Sequence, residues 1–196
     1  MHEALVAHTR AYMSMGKRPT PSPGPNEVVV DVHALALNPV DHIQHSMGFH
    51  VASYPTVLGF DVAGVVIAVG SSVTLVKTGD RVAANASAWF FKDPAYGAFQ
   101  KKVLVPITHV TPLPADVSFT DAAMLPLAIY TAWTAILQLG IPRTDVYGLE
   151  DKKGILVWGV GGSVGSVAFQ IAKSFGFHVY VSPTASAPLF SVPSFS

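Results

Sequence analysis

The rhythm of hydrophobic and polar positions changes near residue 118. Before that point, apolar residues come in short runs between turn signals. Residues 1–20 are mixed, and residues 19–26 (PTPSPGPN) form a turn-rich lead-in. The run EVVVDVHALAL (27–37) has a β-branched start and predicts a mostly buried strand, stopped by Asn38-Pro39. A second apolar run covers 62–69 and closes at Gly70-Ser71-Ser72. Gly79-Asp80 is a turn leading into a strand at Arg81, and residues 97–105 read as a further strand. Short strands with turns between them predict a compact β-rich domain over residues 1–117.

From Ser118 the period lengthens. Thr120-Asp121 can cap a helix whose apolar residues are Ala122, Leu125, Ile129, Ala132, Ile136 and Leu139, ended by Gly140. Residues 141–153 (IPRTDVYGLEDKK) are the most polar stretch, so 118–153 read as a connecting helix and linker. The next unit opens at Gly154 with a buried strand over 155–158. A glycine-rich turn (159–165), a helix over 166–175 stopped by Gly176, and a strand over 178–181 follow. This βαβ order begins a parallel sheet, so the predicted fold class is α/β with a β-rich part. Residues 183–196, mostly Ser, Pro, Ala and Phe, carry no charge and read as an irregular tail.

Composition removes several classes of function. Half of the 196 residues are hydrophobic, which excludes a disordered chain. Twelve basic residues balance twelve acidic ones, against a nucleic-acid partner. The absence of cysteine excludes disulfides and thiolate metal sites. The apolar stretch 122–139 is interrupted by Pro126, Thr131, Thr134 and Gln138, and falls short of the roughly 20 apolar residues of a membrane span. The first ten residues lack the apolar core of a secretory signal. The expectation is a soluble cytoplasmic protein with no membrane partner.

The loop GVGGSVG (159–165) is the strongest chemical signal. It follows a buried strand and opens a helix, the context a dinucleotide site requires, although a ligand-free βα turn uses glycine too. Glycines let backbone approach a pyrophosphate, and a helix N-terminus offers free N–H groups. NAD-selective sites place an acid about 20 residues on, at the end of the second strand. Here Ser182-Pro183-Thr184 stands there without one, which leaves room for NADP(H). No Lys or Arg follows position 173, so a positive partner for the 2′-phosphate is not visible.

At this point the chain resembles the medium-chain dehydrogenase/reductase superfamily over residues 1–185. The resemblance rests on PGPNEVVVDVHALALNPVD (23–41), YPTVLGFDVAGVVIAVGSSV (54–73), GDRV (79–82), YGAFQ (96–100), AAMLPLAIYTAW (122–133) and GILVWGVGGSVGSVAFQIAKSFG (154–176). It implies a GroES-like β domain followed by a Rossmann domain. Within the family the chain is most similar to quinone oxidoreductases and fungal trans-acting enoyl reductases. The positions that match zinc ligands carry Asn38 and Gly59-Phe60-Asp61, so no metal is expected, despite His42, His45 and His50.

The resemblance implies an NADPH-dependent, zinc-independent reductase that passes hydride to an enoyl or quinone-type double bond, on a small-molecule or carrier-bound substrate. Asn38, Val40, Asp41, His42 and Ile43 match the nicotinamide end of the cofactor site, with Asn38, Asp41 and Thr131 as catalytic candidates. Gly159, Gly161, Gly162, Ser163, Val164 and Gly165 match the pyrophosphate loop. Ser182, Pro183, Thr184 and Ala185 match the adenosine-ribose segment, and Ala132, Trp133, Thr134 and Ala135 the substrate side. The alternative roles are turn caps for Asn38 and Asp41, a hydroxyl bonded to its own helix for Thr131, and, with equal weight, core for Trp133. A polyketide synthase partner and a homo-oligomer are both compatible with the family.

A complete dinucleotide fold needs six strands, and this sequence offers two after the linker. The second domain is therefore expected to be an incomplete Rossmann domain (154–182), from a C-terminally truncated product. A catalytically inactive GroES-like module acting only in protein interaction is the alternative.

Overall fold

The computed structural model describes residues 1–141, 147, 149–151, 153–182 and 190–191. The chain divides into two compact units, Met1–Pro126 and Leu127–Ser196.

The first unit contains β1 (His2–Thr9), β2 (Tyr12–Arg18), β3 (Glu27–Ala36), α1 (Pro39–Met47), β4 (Thr56–Val57), β5 (Asp61–Val69), β6 (Arg81–Asn85), α2 (Ala88–Phe91), β7 (Lys102–Pro106), β8 (Val110–Pro112) and α3 (Phe119–Ala123). One sheet has the order β7-β3-β5-β6-β8 and a smaller one the order β2-β1-β4. The valines of the run at 27–37 explain the first sheet. Val28, Val29, Val30 and Val32 are all buried, so β3 is central and covered on both faces. With Val57, Val62, Val66, Val82, Val103 and Val105 they form the main core. Helix α3 adds Ala122 and Ala123 to a second cluster with Ala63 and Ala83. That packing carries the first unit to Pro126, past the boundary expected at 117.

Several elements differ from the sequence reading. The mixed residues 1–20 form the β1–β2 hairpin, with Ala4 facing Gly16 and Val6 facing Ser14. Its alternation is faint because His2 and Ala4 occupy buried positions; His2 Nε2 and Gln100 Oε1 lie 2.9 Å apart. The strand expected over 97–105 is confined to β7. Gly97 lies so close to β4 that a Cβ there would sit 2.2 Å from the Val57 carbonyl oxygen.

The long helix expected from Thr120 to Gly140 is two helices, α3 and α4 (Pro126–Gln138), because Pro126 starts a new one rather than continuing the old. Taken across the break, Phe119–Gln138 has the length and composition of a membrane span, with mean hydropathy 1.2. Its alanines at 122, 123, 128 and 132 are buried in protein clusters, although only 28% of the span is buried.

The second unit holds α4, β9 (Gly154–Trp158), α5 (Ser163–Ser174), β10 (His178–Ser182) and β11 (Phe190–Ser191). Strands β9 and β10 pair in parallel, with Ile155 facing Val179 and Val157 facing Val181. The expected βαβ order is present, and α5 begins three residues earlier than expected. Strand β11 pairs antiparallel with β10, so a piece of the stretch read as irregular adds a third strand, in the order β11-β10-β9. Ala128, Ala132 and Val167 form this unit's core.

Candidate functional site

In the first unit, Asn38 stands between β3 and α1 with extended φ and ψ of −120° and 153°. The Asn38 N–H donates to Asp41 Oδ2 at 2.7 Å, and Asp41 N–H returns a bond to the Asn38 carbonyl at 3.0 Å. Proline at the first helical position and an acid at the third complete a helix start that the sequence spells as NPVD. The β3–β5 register pairs Ala36 with Asp61, which brings the Asp61 carboxylate under this turn. Asn38 Nδ2 donates to Asp61 Oδ2 at 2.9 Å.

Asp41 and Asp61 are both buried, and Asp41 Oδ1 has no hydrogen-bond partner. Loss of water raises the Asp41 pKa, the Asn38 N–H lowers it and the nearby Asp61 carboxylate raises it, to about 6 in all. Asn38, Asp41 and Asp61 thus form one buried polar cluster. Asp61 belongs to it by geometry, whereas the sequence marks it only as a residue at a replaced zinc-ligand position. Val40 is half-buried on α1, and His42 and Ile43 are exposed there.

In the second unit, β9 ends at Trp158 and Gly159 turns the chain with φ of +77°. The N–H groups of Gly159 and Val160 both donate to the Ser182 carbonyl, at 2.8 and 2.9 Å. Gly162 N–H donates to the Gly159 carbonyl at 3.1 Å, and Gly162 caps α5. The N–H groups of Ser163, Val164 and Gly165 lie in the first turn of α5, where a helix has no internal acceptor for them. Gly161, Gly162, Ser163 and Val164 are exposed. A Cβ at Gly165 would sit 2.2 Å from the Gly159 carbonyl oxygen, so only glycine lets the helix start this close to the turn. Free donors, an exposed loop and a forced glycine fit a dinucleotide pyrophosphate.

Ala132 and Ala135 of α4 line one cavity of about 490 Å³ with Gly159, Gly162, Ser163 and Val164. The structure therefore brings part of the expected substrate group beside the expected cofactor loop within the same unit. Thr131 is exposed and its hydroxyl donates to the Leu127 carbonyl at 2.8 Å. Thr134 does the same toward Tyr130. Trp133 is half-buried and stacks on Phe175, with ring centroids 5.6 Å apart. Ser182 is fully buried, and its carbonyl anchors the loop. Pro183, Thr184 and Ala185 lie outside the described residues.

Comparisons with known proteins agree with this arrangement. Residues 24–115 match the alcohol dehydrogenase GroES-like domain. The chain is 47% identical over 182 residues to a trans-enoyl reductase, tazE, of Aspergillus terreus, covering 90% of this chain and 60% of that protein. It is 46% identical to the trans-enoyl reductase tndF of Aspergillus flavipes, covering 90% of this chain and 52% of that protein. In structure it is similar to an alcohol dehydrogenase superfamily protein from Novosphingobium aromaticivorans, with a TM-score of 0.79, 27% identity, and coverage of 95% of this chain and 54% of that one. A quinone oxidoreductase from Pseudomonas syringae gives a TM-score of 0.69 at 30% identity, over 92% of this chain and 52% of that one. The chain is therefore similar to proteins of the medium-chain dehydrogenase/reductase superfamily, among them trans-enoyl reductases and quinone oxidoreductases. Members of that superfamily bind nicotinamide cofactors. The chain spans about half of the length of the curated relatives it matches.

Proposed function

We propose that this chain serves an NADPH-dependent, zinc-independent reductase that adds hydride to the double bond of an enoyl or quinone-type substrate. The observation that carries the reading is the glycine turn, held by the Ser182 carbonyl and opening α5 with free N–H groups. The names of the relatives, trans-enoyl reductase and quinone oxidoreductase, support the reaction class. When bound, the nicotinamide supplies the hydride. The backbone N–H groups of Ser163, Val164 and Gly165 bind the pyrophosphate, and Gly165 keeps them close to the turn. Ala132 and Ala135 form an apolar wall beside that loop.

Two features support the finer choices. The Asn38 amide is bonded to Asp61, Phe60 offers no donor atom, and the chain has no thiol, so a zinc ligand set is not assembled from these positions. The segment after β10 carries no carboxylate that would repel a 2′-phosphate. Carrier-bound substrates and a polyketide synthase partner accord with the trans-acting relatives.

Titration calorimetry of the intact chain with NADPH and NADH tests the cofactor. Tighter binding of NADPH is expected; tighter NADH binding, or none of either, overturns the reading. Absorbance at the reduced-nicotinamide band, followed with an enone or a quinone, tests the chemistry. A chelator is expected to leave the rate unchanged, and inhibition by chelation overturns zinc independence.

A further inference from the structure

Among the described residues, three non-glycine residues have positive φ: Ala11, His50 and Lys92. Two of them, His50 at 52° and Lys92 at 55°, line a single cavity of the first unit. Left-handed backbone disfavours residues with a Cβ, and such strain collects at binding sites. Lys92 ends α2 at the position where helices favour glycine, its N–H donating to the Ala88 carbonyl at 2.7 Å. A lysine there sacrifices stability, and its side chain forms no ion pair or hydrogen bond with any described residue.

The rest of the cavity has the same character. Gln44 projects from α1 into it, only 3% exposed, and its amide has no hydrogen-bond partner among the described residues. Ser53 and Thr56 add hydroxyls, and the lining contains no Asp or Glu. Trp89 forms one wall, with the His50 ring stacked on it at 4.4 Å and 21°. The interior is about 20 Å³, room for about one water-sized atom such as a single carboxylate oxygen. Amide and hydroxyl donors, a lining without carboxylates and a lysine with no ion pair suit one oxygen of a compact oxyanion.

We propose that this cavity binds the carboxylate head of a small organic acid. Lys92 supplies the charge and Gln44 an N–H donor, and the left-handed backbone at positions 50 and 92 is retained because it presents the His50 and Lys92 side chains to the ligand. The Lys92 variants separate this site from the reductase reading, because an enoyl acid bound at the reductase site would not depend on Lys92.

Titration calorimetry of the intact chain with crotonate, and with crotonamide as its neutral counterpart, tests the proposal. Crotonate is expected to saturate one site, with crotonamide at least about tenfold weaker. Lys92→Gly is expected to weaken crotonate about tenfold while raising Tm by a few degrees, because glycine relieves the backbone. Lys92→Asn, which tolerates the same φ, is expected to weaken crotonate equally and keeps the test open if the glycine variant loosens the fold. Equal affinity for acid and amide, unchanged crotonate binding in both Lys92 variants, or displacement by equimolar inorganic phosphate overturns the proposal.

Discussion

Asn38 donates its side-chain N–H to Asp61 across the turn that joins β3 to α1, at 2.9 Å. The bond ties the start of a helix to the first residue of a neighbouring strand, and one end of it is a fully buried carboxylate. Asn38→Ala removes this bond and the cap residue together. The expected loss is about 1–3 kcal/mol, the range for a cap plus a hydrogen bond to a charged group. Chemical denaturation of the two proteins checks it; a change below about 0.5 kcal/mol would show that the turn is held by other contacts.

Asp41 should make stability depend on pH. Burial raises its pKa from 3.8 to about 6, so the folded state holds the proton more tightly than the unfolded chain does. Between about pH 4 and 6 folding takes up a proton, and stability falls as pH rises through that window. The full loss is on the order of 2–3 kcal/mol, complete by about pH 7. Asp41→Asn keeps an oxygen to accept the Asn38 N–H and carries no charge. It should flatten this part of the profile and be more stable than the parent at pH 7. Denaturation midpoints from pH 4.5 to 7.5 decide the matter, and an unchanged slope in the variant would place the titrating group elsewhere.

The legibility of the sequence follows from the strength of its local signals. The β3 and β5 valines and the strand–glycine–helix order of the second unit are visible because burial on both faces and a forced turn leave few residue choices. Helix α1 carries its start in NPVD, yet it reads as a stop signal, because Pro39 ends a strand as readily as it opens a helix. The β1–β2 hairpin is hidden because His2 takes a buried position through its contact with Gln100, 98 residues away. The Asn38–Asp61 bond depends on a strand register, which no local pattern specifies.

Two glycines of the cofactor loop should fail in different ways when given a side chain. Gly159 has φ of +77° and nothing within 4 Å of an added Cβ, so Gly159→Ala costs only backbone strain, about 1–2 kcal/mol. At Gly165 the added carbon meets the Gly159 carbonyl oxygen at 2.2 Å, backbone against backbone. Gly165→Ala must push the helix off the turn and misalign the free N–H groups. A loss of NADPH affinity greater than about tenfold is expected for Gly165→Ala and a smaller one for Gly159→Ala, since misplaced charge-assisted bonds outweigh modest strain. Calorimetric titration of both variants reads the order, and the reverse order would remove Gly165 from the site.

The exposed edge of β9 leads to the last prediction. In the order β11-β10-β9, β9 pairs with β10 on one side and with no described strand on the other. Its side chains Leu156 and Trp158 are 53% and 57% exposed. An apolar strand with unpaired N–H and C=O groups is a template for another chain. The intact protein should therefore self-associate as its concentration rises, with the contact running through β9. Sedimentation velocity over a range of concentrations should show a growing weight-average coefficient. Leu156→Lys, which places a charge on that strand, should bring it back toward the monomer value. Leu75→Lys, at an equally exposed leucine of the first unit, should not. Equal effects of the two lysines would mean that association follows general surface hydrophobicity, and a concentration-independent monomer would mean that the β9 edge is already covered.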